Sequence, residues 1–184
     1  MKKIGIILMV VFSINTIFAQ KYFTKNGHIS FFSTTPIEDI EAHNYQSASV
    51  LNYENGEIVF SLLMKGFEFE KALMQEHFNE KFVESDEFPK AKFIGRIKDY
   101  KAFDLSKDET HKVVITGKMT IHGITNAIEA EGVIVVEGGE ISAQAKFPLA
   151  IEKYKINIPS VVKDKIAKEV SISVGIEYKE YVKK

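Results

Sequence analysis

Most of this chain alternates between apolar and other residues with a period of two. That rhythm restricts it to extended strands with one face toward a core. It is clearest from Ile141, where Ile141, Ala143, Ala145, Phe147, Leu149 and Ile151 share one face. Ser142, Gln144, Lys146, Pro148, Ala150 and Glu152 share the other. Pro148 cannot donate to a ladder, so the strand bends, bulges or lies at an edge there. Val170, Ile172, Val174, Ile176 and Tyr178 repeat the pattern, as do Val113, Ile115, Gly117, Met119 and Ile121. So do Ile128, Ala130, Gly132, Ile134 and Val136, then Ile58, Phe60, Leu62 and Met64, then the shorter set Phe93, Gly95 and Ile97. Residues 21–25, 28–34 and 46–53 read as strands with weaker patterns.

Turn residues punctuate these runs. Glu54-Asn55-Gly56, His122-Gly123 and Gly138-Gly139 each join two strands as a hairpin. Consecutive antiparallel strands with short links form a meander, and a meander of about eight strands closes into an up-and-down barrel. The fold expected is therefore mainly all-β. Three short segments depart from it. Thr35-Pro36-Ile37-Glu38 offers a cap, a proline at the first helical position and a capping-box glutamate. From Glu70 to Phe82, Met74, Phe78 and Phe82 recur four residues apart, which is a helical stripe. Ser160 caps a short turn that carries Val162 and Ile166 on one side.

Composition removes several classes of function. At 184 residues, 45% apolar, 27% charged and net charge −1, the chain is one ordinary globular domain. It has no cysteine, which excludes disulfides, cysteine-based zinc sites, thiol nucleophiles and a lipid-modified N-terminal cysteine. Acids (25) balance bases (24), so no basic footprint for nucleic acid is present. The first residues have the order of a secretory leader. Lys2 and Lys3 precede the hydrocarbon run Ile4–Phe12, and Ala19 offers a small residue at the cut. The run is interrupted well short of the roughly 20 apolar residues a membrane span needs. The expected organisation is a signal peptide over 1–19 and a single domain over 20–184, periplasmic or secreted, with no stable membrane span once the leader is removed.

The inward face contains almost no charge, and it mixes large residues (Phe60, Phe93, Met119, Phe147) with small ones (Gly95, Gly117, Ala130, Gly132, Ala143, Ala145). Small residues can leave an apolar void that a hydrocarbon guest would fill, regaining roughly 0.8 kcal/mol per buried CH₂. They can equally serve barrel corners or pack against facing phenylalanines. Pattern alone leaves both open.

Chemistry-bearing residues are sparse. The five histidines, His28, His43, His77, His111 and His122, include no HExxH pair. His43 reads as a solvated helix end, and His122 sits at a hairpin beside a permissive Gly123. His77 lies on a short helix with Glu76 and Glu80, in an acidic stretch from Glu68 to Glu87. Lys118 and Lys146 fall on outward positions. There is no nucleophile elbow, phosphate loop or dinucleotide motif, so no catalytic residue, metal or cofactor is assigned.

Two stretches carry a family resemblance. One is Ala72-Leu73-Met74-Gln75-Glu76-His77-Phe78-Asn79 followed by Phe82 to Phe93, including Phe88-Pro89-Lys90-Ala91-Lys92-Phe93. The other is Gly117-Lys118-Met119-Thr120-Ile121-His122-Gly123-Ile124-Thr125. With the closing region from Tyr154-Lys155-Ile156 to Tyr178, they resemble the YceI-like family of exported bacterial proteins over nearly all of residues 21–179. The resemblance implies a lipocalin-like antiparallel barrel with a helix near its mouth, binding long apolar molecules such as polyisoprenoids. Many members carry an Arg-Asp pair before that helix; here Glu68-Phe69-Glu70-Lys71 stands in its place.

The resulting expectation is an exported carrier for a lipid-like small molecule, polyisoprenoid or fatty-acid-like, without cofactor and with homodimerisation as a further possibility. Phe60, Leu62, Met64, Phe93, Ile97, Ile115, Met119, Ala143, Ala145, Phe147, Ile172 and Val174 would line the tunnel. Phe67, Leu73, Met74 and Phe78 would guard its entrance. Two rival expectations are a hydrolase or isomerase acting on an amphiphile through His77 and nearby carboxylates, and a solid-core interaction module.

Overall fold

A computed structural model describes residues 21–181. The leader expected over 1–19 lies outside the described residues. Nine strands follow in order: β1 (Lys21–Thr34), β2 (Asp39–Asn52), β3 (Glu57–Leu63), β4 (Glu68–Phe69), β5 (Lys90–Ile97), β6 (Glu109–Ile121), β7 (Ile124–Glu137), β8 (Glu140–Ala150) and β9 (Glu169–Glu180). Every pairing is antiparallel, and β9 returns to β1, so eight strands close into an up-and-down barrel. The two-residue β4 is extra. It pairs Phe69 with Ala42 and Glu68 with His43, past the point where the β2–β3 ladder ends at Ala48↔Ser61. Buried Asn44 bridges that gap, donating to the Leu63 carbonyl at 3.0 Å and accepting from the Gln46 amide at 2.9 Å. Closure removes the exposed edges that an open sheet would leave.

The hairpins form where turn residues allow positive φ: Gly56 at 71°, the His122-Gly123 pair at 51° and 71°, and the Gly138-Gly139 pair at 58° and 82°. The last two are the left-handed pairs that match strand twist. Connection lengths then sort the two ends of the barrel. The links after β2, β5 and β7 gather at one end. The β1–β2 link, the long segment 64–89, the His122-Gly123 turn and residues 151–168 gather at the other, the mouth.

The far end is packed shut. Leu51, Ile58, Phe93, Ile97, Leu105, Val113, Ile134, Val136, Ile141, Ile176 and Tyr178 form one buried cluster. Tyr178 and Ser49 share a hydroxyl hydrogen bond of 2.7 Å, and Tyr53 donates to the Phe103 carbonyl. Burial holds the Tyr178 phenol above its ordinary pKa.

Three local features refine the sequence reading. The Thr35–Glu38 signature makes a turn, not a helix. Thr35 Oγ1 accepts from the Ile37 and Glu38 amides (3.3 and 3.1 Å) as a cap would, but the Thr35 amide bonds back to the Glu38 carbonyl (3.1 Å) and the chain enters β2. Ladder pairing with β1 outcompetes a helix of so few residues. His43, read as a helix end, consequently lies in β2 and stacks against His28, whose ring also stacks against Tyr45. The 70–82 stripe does form a helix, α1 (Ala72–His77), running into a π-helical turn over Phe78–Phe82. A 3₁₀ turn spans Ser160–Lys165. Pro148 sits beyond Gly132↔Ala145, the last β7–β8 pair on that side, so the β7 side of the strand is unpaired there while β9 still pairs Ser171 with it.

Candidate ligand-binding tunnel

The inward faces enclose a cavity of about 530 Å³, within the roughly 300–1,000 Å³ of pockets that take small organic ligands. Its floor is Leu51, Ile58, Val113, Ile134 and Tyr178 of the far-end cluster. Its walls include Phe60 and Leu62 of β3, Phe93 of β5, Ile115 and Met119 of β6, Ile128 and Ala130 of β7, Ala143, Ala145 and Phe147 of β8, and Ile172 and Val174 of β9. Ile172 and Val174 face the interior and yet are only half-buried, because open space and not packed atoms lies in front of them.

Glycines and alanines divide sharply in this interior. Gly95 lies opposite Gly117, and both are already occupied from in front by the Phe93 ring. A Cβ on Gly117 would fall 2.5 Å from Gly95 Cα and 2.5 Å from the Ile94 carbonyl oxygen. On Gly132 it would fall 2.6 Å from the Gln144 carbonyl oxygen. These glycines admit neighbouring groups and contribute no wall to the cavity. Ala130, Ala143 and Ala145 do contribute wall. Both sequence readings of the small residues are therefore realised, each at different positions.

At the mouth, segment 64–89 folds over the barrel end. Met64, Phe67, Val83, Leu62, Ile29 and Ala42 form its buried base. Phe31, Phe67, Phe69 and Phe78 pack ring against ring at centroid distances of 5.1–5.8 Å. Met74 and Leu73 of α1 continue this apolar rim, and Leu73 is 60% exposed. The cover is fastened at His122. Its Nδ1 lies 3.1 Å from the Tyr154 carbonyl oxygen and its Nε2 2.7 Å from a Glu84 carboxylate oxygen. Both partners are acceptors, so each bond needs a proton on the ring nitrogen that makes it. Phe88 packs edge-on against the same imidazole at 4.5 Å.

Of the sequence-assigned tunnel residues, Phe60, Leu62, Met64, Phe93, Ile115, Met119, Ala143, Ala145, Phe147, Ile172 and Val174 line the cavity, as do Phe67, Leu73, Met74 and Phe78 at its entrance. Ile97 does not. It is 3% exposed and packed in the far-end cluster, although its cross-strand partner Ile115 lines the cavity. The sequence reading missed Ile29, Phe31 and Ile40 on β1 and β2, Phe69 and Phe82 beside α1, and Ile156, Ile158 and Ile166 in the link before β9. Ile29, Phe31 and Ser33 do alternate, which is a usable signal; the link residues follow no period.

Polar groups are few and concentrated near the mouth. Three lysines line the cavity, Lys71, Lys92 and Lys165, and the Glu38 carboxylate lies 3.2 Å from Lys71 Nζ and 3.8 Å from Lys165 Nζ. His77 also lines it. Among the described residues no hydrogen bond joins its ring to Glu76, Glu80 or any other group, and no cluster of three or more His, Cys, Asp or Glu is placed to hold a metal ion. No described helix is long and apolar enough to cross a membrane.

A YceI-like domain profile matches residues 11–178, from before β1 to near the end of β9. The chain belongs to the YceI-like family. Solved structures agree on the fold. A polyisoprenoid binding domain from Saccharophagus degradans, implicated in plant cell wall breakdown, superimposes with a TM-score of 0.76 at 12% identity, covering 89% of this chain and 99% of that one. BcnA of Burkholderia cenocepacia gives 0.64 at 13% identity, over 83% of this chain and 96% of that one. The YceI protein of Campylobacter jejuni gives 0.53 at 13% identity, over 100% of both. Among curated proteins none matches significantly. The barrel fold is thus shared at 12–13% identity.

Proposed function

We propose that this YceI-like protein is exported and sequesters or carries a long-chain apolar or amphiphilic molecule, polyisoprenoid or fatty-acid-like, within its barrel. The observation that carries this reading is the cavity of about 530 Å³ behind a closed floor and an aromatic rim, walled almost wholly by hydrocarbon. Such a volume forfeits dispersion contacts when empty, and each CH₂ that enters it is worth roughly 0.8 kcal/mol. The polyisoprenoid-binding domain with the same fold supports the ligand class by analogy. The charged leader followed by a short apolar run supports export.

Two rival readings have less support. A solid-core module needs a filled interior, and this one is open. A hydrolase or isomerase needs His77 held by a carboxylate, and no such bond is present among the described residues.

Native mass spectrometry of the purified protein, before and after exposure to a total lipid extract, tests the carrier reading. A discrete mass increase that organic extraction removes is expected. Protein that stays empty after exposure to lipids would contradict it. Cell fractionation tests export separately, with the protein expected outside the cytoplasm and shortened near Ala19.

A further inference from the structure

The ends of the cavity differ in chemistry, and that difference bears on which amphiphile would fit. The floor is hydrocarbon apart from the tied Tyr178 hydroxyl. At the rim, two ammonium groups flank one carboxylate: Lys71 at 3.2 Å and Lys165 at 3.8 Å from Glu38. Glu38 is the fixed member. Its backbone is locked into the β1–β2 turn by the Thr35 hydrogen bonds, and its side chain is only 22% exposed. Lys71 and Lys165 are 61% and 50% exposed, so they reach it from solvent. They come from different elements, the residue before α1 and the turn before β9, and converge on the opening. Glu38 neutralises one of the two cations and leaves the second unmatched. It is also the sole acidic residue among the cavity-lining residues, although Glu68, Glu70 and Glu76 stand on the same segment.

Resting on the carrier reading, we propose that the tunnel selects a single-chain amphiphile with an anionic headgroup, a carboxylate or a phosphate, seated at the mouth between Lys71 and Lys165. The tail occupies the apolar cavity down to Tyr178, and the head completes the alternation of charge that Glu38 begins. Glu38 acts as a positioning residue, holding both ammonium groups over the opening. Charge pairs at such exposure are modest, so the head contributes selectivity and the tail contributes most of the affinity.

Titration calorimetry on the full protein at pH 8, below micelle concentrations, separates these contributions with probes of one chain length: hexadecanoate, hexadecyl phosphate, hexadecanol and hexadecyltrimethylammonium. Hexadecanoate and hexadecyl phosphate are expected to bind tighter than hexadecanol by roughly three- to tenfold, and the ammonium probe most weakly. In a Lys71→Met/Lys165→Met variant the advantage of the anions over hexadecanol should vanish. Methionine keeps an unbranched side chain only one atom shorter at these exposed sites, so the fold should be unaffected. Acetate and inorganic phosphate alone should give no measurable heat, since the head without a tail lacks the main driving force. Equal binding of all four amphiphiles, or an anion advantage that survives loss of both lysines, would overturn the headgroup assignment and leave the carrier reading standing. Failure of every amphiphile to bind would overturn both.

Discussion

Added side-chain atoms have opposite consequences at different interior positions of this barrel. Gly117→Ala drives a Cβ into the backbone of β5, at Gly95 Cα and the Ile94 carbonyl, where neither atom can yield. The expected cost is about 1–3 kcal/mol, read from urea unfolding. Ala145→Trp adds far more atoms but places them in open cavity. Its stability should stay near wild type, while long-chain ligands lose affinity by about tenfold or more as several methylenes are displaced. Unchanged binding in that variant would place the ligand elsewhere. His28 gives a second residue-level prediction. Burial first, and then the neighbouring His43, hold its imidazole below the ordinary value of 6.5, with Glu41 acting weakly in the opposite sense. The unfolded chain therefore takes up this proton at a higher pH than the folded one. Stability from this site is intact above about 6.5 and declines as pH falls from there toward the lowered folded value. Acid also consumes the lone pair that the 3.0 Å His28–His43 hydrogen bond requires. The urea midpoint should drop between pH 7.5 and 5, and His28→Gln should flatten that slope. An identical slope in the variant would assign the acid sensitivity to other groups.

Among the elements, the cover over the mouth depends on few ties. Segment 83–88 is held by the Glu84–His122 contact, by Phe88 against the same ring, by buried Val83, by the Lys65–Asp86 ion pair, and by the Val83 and Ser85 amides bonded to the Phe78 and Asn79 carbonyls. The His122→Ala change removes the first two together. About 1–2 kcal/mol of destabilisation is expected, with faster hydrogen exchange confined to 83–88 and its neighbours. Exchange that rises equally throughout the barrel would show that His122 supports the whole fold and not the cover. The cover also shows where sequence reading reaches its limit. The Met74-Phe78-Phe82 stripe announces α1 because a helix buries residues at its own period. The Thr35–Glu38 signature announces a helix that never forms, because a capping pattern describes four residues and ladder pairing with a fourteen-residue strand decides their fate.

For the molecule as a whole, the barrel was legible because closing a meander demands the same alternation from every strand, and most strands carry it plainly. Fifteen of the sixteen residues expected at the tunnel line the cavity, those on the strands for that reason. Ile97 escapes because alternation fixes which face a residue takes but not its depth along the barrel axis. The void was not legible. Gly95, Gly117 and Ala145 read alike in sequence, and the Phe93 ring together with the close backbone of the facing strands separates filled space from empty space. Nor could pattern bring Glu38 and Lys165 together, since they meet through the closure of β1 on β9 and not through any local spacing. The central claim is that a hydrocarbon chain enters the volume between Phe60, Met119, Ala145 and Ile172. A crystal structure of the protein grown with hexadecanoate tests it most directly. Continuous tail density running from the mouth toward Tyr178 is the predicted result, and an interior closed by inward-collapsed Phe and Met side chains, with the fatty acid absent or bound only outside, would contradict it.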